Sequence, residues 1–352
     1  MSKKLVFMGT PMFAVPILKS LYQNGYNISC VYTQPPQKSK RGQKINKSPI
    51  QGISETLNLE YRTPPVINNE EEYNFLNSLD ADLAIVVAYG QIIPKKFLSL
   101  TKTGFINIHA SLLPKWRGAA PIQRSIMNLD QETGISIMRI AEKLDTGPVC
   151  NNYKIQLNEN LNALEISEKL SSLAAEKILD NVDDILDGKA NFIEQDHSNA
   201  TYASKIQKTE GQINWDENAE KIIGKINGLY PSPGAFFMFN GERYKILKAQ
   251  VGRAQGNPGS VLSDNLEIAC GNNQSIIIKF KYSDDQRQSK VRELELVQDG
   301  FEEGRRDQQD VSKNKNFNQQ KALDDFATAN DNMLADADLP RQKSVNNMTD
   351  YA

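Results

Sequence analysis

The chain has 352 residues, 39% of them hydrophobic and 24% charged, with a formal net charge of −2. That length suits two domains with chain to spare. The near balance of charge excludes a protein that coats nucleic acid through its overall potential, so any RNA contact has to come from local basic patches. No run of about 18 apolar residues occurs, which excludes a membrane-spanning helix.

The first apolar run, within Met1 to Gly9, is too short for a secretory signal and reads as a strand over residues 4–8. Gly9-Thr10-Pro11 is a turn, and Phe13, Ile17, Leu18 and Leu21 then recur at helical spacing. This strand–glycine–helix unit lacks G-x-G-x-x-G and is not read as a dinucleotide site. Residues 28–33 are the second strand. Gln34 to Lys47 follows, holding Lys38, Lys40, Arg41, Lys44 and Lys47 with no acidic residue. A solvated loop is the ordinary reading of such a run, but it is long for a βα connection, and mobile Lys and Arg suit phosphate contacts. Ser48-Pro49 opens a helix, residues 70–79 form an acidic one, and Leu83 to Ala88 is the continuous apolar run of a strand covered on both faces. Pro94 begins a short helix.

Phe105 to Pro114 comes next. Side chains two apart share a strand face, so Ile106, Ile108 and Ala110 point one way while Asn107, His109 and Ser111 point the other. Polar groups side by side on a strand need partners. A structural hydrogen-bonded pair is one answer, and a substrate is another. Two features favour the second. The chain has only two histidines, so acid–base chemistry near neutral pH has few other candidates. The strand also runs into Leu-Leu-Pro and Lys115 to Pro121, a Pro/Gly-rich loop with cations and an indole at a strand's carboxyl end, where open α/β sheets place ligands.

Beyond it, Ala119 to Met127 reads as a helix, Thr133 to Arg139 as a strand, Leu144 to Pro148 as a turn, and residues 149–156 as another strand. Asn162 to Leu186 reads as one long amphipathic helix with Leu164, Leu170, Leu173, Ile178, Val182, Ile185 and Leu186 toward the core. The alternation predicts a doubly wound, mostly parallel α/β domain over residues 1–187. Residues 188–210 are polar and without period, a linker. His197, within it, is read as a solvated surface residue. A helix over 219–226 and several short strand-like runs predict a small OB-like β-barrel over 211–283, of the kind that binds oligonucleotides. Lys245, Lys248, Arg253 and Lys279 are its candidate RNA contacts. Residues 284–352 are polar and poor in large apolar side chains, and read as a divergent, disordered tail. Cys30, Cys150 and Cys270 are widely spaced and odd in number. They suit a reducing cytoplasm and form no metal pattern.

Three stretches together, Asn107-x-His109-x-Ser111-Leu112-Leu113-Pro114, Trp116 to Gln123, and Leu144-Asp145-Thr146-Gly147, closely resemble the formyltransferases that use 10-formyltetrahydrofolate. The agreement spans roughly residues 3–280 and points to the members that act on initiator tRNA. The resemblance implies Asn107, His109 and Asp145 as the catalytic set, with Asn107 and His109 stabilising an oxyanion and Asp145 assisting proton transfer. It implies that Val87, Ala88, Tyr89, Ser111, Leu112, Leu113 and Pro114 surround the folate co-substrate, that the basic segment wedges against the tRNA acceptor end, with Arg41 foremost, and that the barrel braces the tRNA. It further implies a soluble enzyme, expected to be monomeric and independent of metal. Other readings stay open. Relatives in this fold formylate glycinamide ribonucleotide or nucleotide sugars, formyltetrahydrofolate could instead be hydrolysed, and an RNA-binding protein could use the loop and barrel without catalysis. A Ser111–His109–Asp145 hydrolase is disfavoured by the absence of a G-x-S-x-G elbow.

Overall fold

The computed structural model describes residues 3–38, 45–158, 160–239, 242–263 and 265–278. The chain divides between Lys205 and Ile206 into two units, residues 126–129 grouping with the second. In order, the first unit contains β1 (Lys4–Gly9), α1 (Val15–Gln23), β2 (Asn27–Tyr32), β3 (Gln37–Lys38), β4 (Ile45–Asn46), α2 (Pro49–Thr56), β5 (Tyr61–Arg62), α3 (Glu70–Ser78), β6 (Leu83–Val87), β7 (Phe105–His109), β8 (Arg117–Gly118), α4 (Pro121–Met127, whose end groups with the second unit), β9 (Glu132–Arg139), β10 (Val149–Gln156), α5 (Ala163–Lys177), α6 (Leu179–Leu186) and β11 (Tyr202–Ala203).

Seven of these strands form one sheet in the order β10-β9-β7-β6-β1-β2-β5. The five from β7 to β5 are parallel, and β9 and β10 run antiparallel at one edge. The chain starts at the centre, winds outward through β2 to β5, and returns to β6 on the other side of β1. Strand order therefore reverses between β1 and β6, and in open α/β sheets ligands bind beyond the carboxyl ends of the strands at such a point. Every residue of β6 is buried, as its unbroken apolar run predicts for a strand covered on both faces. On one face Val6, Met8, Cys30, Tyr32, Ala84 and Val86 pack with Leu76 of α3 and with Phe97. Burial pushes the Cys30 thiol up to about 12, consistent with an inert core residue.

Side-chain caps hold the helix starts. Ser48 accepts from the Gln51 N–H at α2, Asn69 from Glu72 at α3, and Asn162 closes a capping box with Glu165 at α5. The long helix expected over 162–186 is two, joined at Ile178, whose backbone stays in the right-handed helical region. Its core stripe is Ala163, Ile166, Leu170, Ala174, Ile178, Val182 and Ile185. Leu164 and Leu173 lie beside the stripe and are only half-buried.

Two segments depart more from expectation. Residues 188–205 belong to the first unit: Ile193 bridges Val149, and Tyr202 and Ala203 pair in parallel with Arg117 and Gly118. Polar, aperiodic sequence is here a packed strap whose hydrogen-bonding groups are used internally. The basic segment after Gln34 opens and closes as a hairpin stem, Gln37–Lys38 pairing with Ile45–Asn46. Lys40, Arg41 and Lys44 lie outside the described residues, and Lys47 is ion-paired to Glu55 at 2.8 Å.

The second unit contains α7 (Ala219–Leu229), a hairpin of β12 (Ala235–Phe239) and β13 (Glu242–Ile246), and a four-stranded antiparallel sheet of β14 (Ala249–Val251), β17 (Gln274–Ile278), β16 (Glu267–Cys270) and β15 (Val261–Ser263) in that order. Ile213, Ile222, Ile226, Tyr244, Ile246, Ile268 and Ile276 form its core. Lys248 and Arg253 are exposed, the Lys245 ammonium donates to the Pro231 carbonyl at 2.8 Å, and Lys279 and the 284–352 segment lie outside the described residues. Glu267 ties the unit together: its Oε1 accepts from the Arg253 and Ala254 N–H groups and the Ser275 hydroxyl at 2.6, 2.7 and 2.6 Å.

Two predictions follow from this packing. The Ala254 N–H, the Ser275 hydroxyl and the Arg253 N–H hold the Glu267 carboxyl below its usual range. Its stabilisation is therefore present above the unfolded value of about 4.3 and is lost as pH falls through the lower folded value. Glu267→Gln should lower the melting temperature near neutral pH, and the gap to the parent should close as thermal scans are taken down to about pH 3. The Tyr89 hydroxyl is buried with no hydrogen-bond partner among the described residues, and burial raises its pKa. Tyr89→Phe removes an unpaired polar atom from the core, so its melting temperature should equal or exceed the parent's; a fall of several degrees would show the hydroxyl to be bonded.

Candidate active site

β7 delivers Asn107 and His109 to the carboxyl end of the sheet, in register with Val86 of β6 on one side and with Met138 and Ser136 of β9 on the other. After His109 the chain turns sharply. The Ser136 hydroxyl fixes that turn by donating to the Ser111 carbonyl at 2.6 Å and accepting the Leu113 N–H at 2.9 Å. Ser111 donates its own hydroxyl to the Lys115 carbonyl at 2.6 Å and is fully buried, so it shapes the turn from within. Leu113 is also buried, while Leu112 and Pro114 are half-buried.

Asp145 arrives from the turn between β9 and β10, 38 positions from Asn107. Its Oδ2 accepts the Gly118 N–H at 2.8 Å and faces His109 Nδ1 at 3.7 Å, and its Oδ1 lies 3.4 Å from Asn107 Nδ2. Both His109 and Asp145 have largely buried side chains, with 7% and 9% of their surfaces exposed. His109 Nε2 is 2.9 Å from the Trp116 carbonyl. A carbonyl only accepts, so Nε2 carries the hydrogen and Nδ1 is the ring atom left to take or give a proton. The 3.7 Å gap to the carboxylate exceeds a formed hydrogen bond.

The backbone around this trio is unusual. Ala88, Trp116 and Asp145 all have positive φ, at 48°, 62° and 53°, a region that β-carbons disfavour and that clusters at functional sites. Two glycines make the approach possible. A β-carbon on Gly118, whose φ is 120°, would lie 2.7 Å from the Ala203 carbonyl, and one on Gly147 would collide with the Arg139 carbonyl.

The strand ends at the switch point are cross-linked by Thr10. Its hydroxyl donates to the Tyr89 carbonyl at 2.7 Å and accepts the Gln34 N–H at 3.3 Å, and Gln34 Nε2 reaches the same carbonyl at 3.3 Å. Of the three residues expected around a folate ring, Val87 and Tyr89 are buried, with the Tyr89 carbonyl already engaged, and Ala88 is exposed.

Sequence reasoning did not find Thr10, Ser136 or Gln195. Gln195 is buried and donates to the Asp145 and Gly147 carbonyls at 2.9 and 2.7 Å, while its oxygen accepts from Arg117 Nε and Nη2 at 3.1 and 2.7 Å. The Gln195-Asp196-His197 run carried no periodic signal that could have drawn attention to it. The His197 ring is exposed as expected, though its Nδ1 lies 2.8 Å from Arg117 Nη2. Among the described residues no three His, Cys, Asp or Glu side chains gather as a metal ion would require, and no helix is long and apolar enough to cross a membrane.

Residues 3–182 match the formyl transferase family, and residues 205–293 match its C-terminal domain. The methionyl-tRNA formyltransferase of Pelagibacter ubique is 67% identical over 279 residues, covering 79% of this chain and 90% of that protein. The methionyl-tRNA formyltransferase of Roseobacter denitrificans is 41% identical over 268 residues, covering 76% and 87%. Among solved structures, an N-formyltransferase from Helicobacter canadensis, in complex with folinic acid and dTDP-3-aminofucose, superposes with a TM-score of 0.62 at 19% identity, covering 79% of this chain and 99% of that one. A 4-N formyltransferase from Francisella tularensis gives 0.56 at 20% identity, covering 70% and 96%. The structural likenesses speak for the fold and the sequence relatives for the lineage: the chain belongs to the formyl transferase family, among the methionyl-tRNA formyltransferases.

Proposed function

We propose that the chain transfers the formyl group of 10-formyltetrahydrofolate to the α-amino group of methionine on initiator tRNA. One observation carries the reading: Asn107, His109 and Asp145, far apart in sequence, meet at the carboxyl end of β7 in a chain 67% identical to a methionyl-tRNA formyltransferase across both matched domains.

The amine lone pair attacks the formyl carbon. The carbonyl π pair moves onto oxygen, giving a tetrahedral oxyanion. Asn107 Nδ2 donates to that oxygen, and the imidazolium of His109 stabilises its charge. A donor aimed at developing charge in a largely buried site is worth roughly 3 kcal/mol. The intermediate collapses by breaking the bond from carbon to N10. N10 leaves with the electron pair and takes one proton, and the ammonium formed by attack loses one, so the exchange balances as amide plus tetrahydrofolate. Asp145, held by the Gly118 N–H, faces His109 Nδ1 and carries the proton across with it. The reading supplies this route from residues already present and requires no metal.

The exposed backbone at Ala88 and the turn from Leu112 to Pro114 border the strand ends where the folate ring would lie. The Lys38–Lys47 segment would contact tRNA phosphates, Arg41 contributing a planar fork. Lys47, already paired with Glu55, is the weakest of the five for that task. The second unit, with its two antiparallel sheets, would be the OB-like barrel that braces the tRNA. The enzyme would act as a cytoplasmic monomer.

The deciding experiment incubates the protein with labelled 10-formyltetrahydrofolate and methionyl initiator tRNA and follows the formyl group. The expected product is formylmethionyl-tRNA. Release as formate, or transfer only to an amino sugar or glycinamide ribonucleotide, would overturn the assignment. His109→Ala should fold normally by circular dichroism and lose about 10²- to 10³-fold in kcat; turnover within a few-fold of the parent would remove His109 from the chemistry. Arg41→Ala should raise KM for tRNA about tenfold while binding of the formyl donor, followed by fluorescence, is unchanged. Loss of donor binding instead would place the basic segment at the folate site.

A further inference from the structure

The Asp145 carboxylate has to be aimed at His109 from a turn whose own backbone is in the left-handed region, at φ 53°. That conformation is disfavoured for a residue with a β-carbon and does not hold itself. The turn residues themselves supply little: Thr146 bonds the Lys143 carbonyl on its solvent side, and Leu144 is two-thirds exposed, at 67%. The inward restraint comes from outside the turn. Gln195 Nε2 spends both hydrogens on it, one on the Asp145 carbonyl and one on the Gly147 carbonyl. Fixing these two carbonyls orients the Asp145–Thr146 and Gly147–Pro148 peptide planes at the two ends of the turn, and with the first of them the direction of the Asp145 side chain.

The other end of the amide is equally committed. Gln195 Oε1 accepts from Nε and Nη2 of Arg117, a guanidinium 2% exposed. All four hydrogen-bonding positions of the amide are thus used, and its orientation is decided: reversed, the NH₂ would face a guanidinium and the oxygen two carbonyls. Among the described residues the Arg117 side chain hydrogen-bonds Gln195 and His197. A cation at the oxygen end polarises the amide and strengthens donation from its nitrogen.

We propose that Gln195, polarised and oriented by Arg117, is the positioning residue that sets the Asp145 carboxylate against His109 for the transfer step. This rests on the role given to Asp145 under the proposed function. Gln195 touches no reacting atom, so its removal acts on turnover through Asp145 and leaves substrate binding alone.

Gln195→Glu separates the two ends of the side chain. A carboxylate still accepts from Arg117, so the buried cation keeps its partner and the fold holds. The two N–H groups are lost, and an oxygen is set against two carbonyl oxygens. The expected result is a melting temperature at or above the parent's, KM for donor and tRNA within about twofold, and kcat lower by about ten- to a hundredfold, the scale of a small misplacement of reacting groups. The same change is then made in an Asp145→Asn background. If Gln195 acts through Asp145, it adds almost nothing to the loss already caused there, and the double-mutant cycle is strongly non-additive. Losses that multiply, an unchanged kcat in Gln195→Glu, or a rise in KM that accounts for its whole effect would each overturn the proposal. Full turnover by Asp145→Asn alone would overturn the role of Asp145 itself, and the proposal with it. Should Gln195→Glu fail to fold, Arg117→Lys gives the same reading, because it keeps the charge and loses the paired donors: kcat must fall without KM, and non-additively with Asp145→Asn.

Discussion

The 2.8 Å hydrogen bond from the Gly118 N–H to the Asp145 carboxylate closes the site. It joins two turns that leave opposite ends of the β7–β9 pair, and each end of it demands an unusual backbone. Gly118 must pass close enough to the Ala203 carbonyl that a β-carbon would overlap it, and Asp145 must adopt a left-handed conformation. Neither turn is a local minimum by its own sequence. Each is stable because neighbouring elements hold it: β8 through its pairing with β11, and the Asp145 turn through Gln195. Strain of this kind persists only where the surroundings over-determine it.

The sheet explains why this meeting takes place where it does. Reversal of strand order between β1 and β6 leaves a crevice at their carboxyl ends, and Thr10 and Gln34 lash the two exits together through the Tyr89 carbonyl. β7 lies next to β6, so Asn107 and His109 emerge one strand away from that crevice. β9, antiparallel to β7, leaves the sheet beside Ile106, where the Ile140 N–H bonds the Phe105 carbonyl, and the turn that follows folds back to bring Asp145 to the pair. A wholly parallel continuation would need a crossover connection at that point.

Much of this was legible in the residues. The buried run Leu83 to Val87, the alternation at Phe105 to His109, and the helix opening at Ser48-Pro49 each have a local cause, so local reading finds them. What was hidden depends on partners distant in sequence. The strap from Gly188 to Lys205 has neither period nor apolar weight, because its work is done by single hydrogen bonds to Asp145, Gly147 and Arg117. Ser136 looks like any small residue of a buried strand until the Ser111–Leu113 turn is laid beside it. The break at Ile178 is invisible to periodicity, since the core stripe runs through it without a missed step.

A buried arginine against neutral partners is a poor way to gain stability, since removing a guanidinium from water carries a penalty that an amide and an imidazole only partly offset. Arg117 is placed so all the same, 2% exposed, bonded to Gln195 and His197. A carboxylate in the position of Gln195 would satisfy the cation better and could not donate to the Asp145 turn. An apolar residue would leave both the turn and the cation unsupported. Glutamine is the side chain of that reach that accepts at one end and donates twice at the other. Its selection is therefore explained by the turn it restrains and not by the cation it satisfies. The hydrogen-bonded arrangement around Asn107, His109 and Asp145 extends to Gln195, in a stretch whose sequence gives no sign of it.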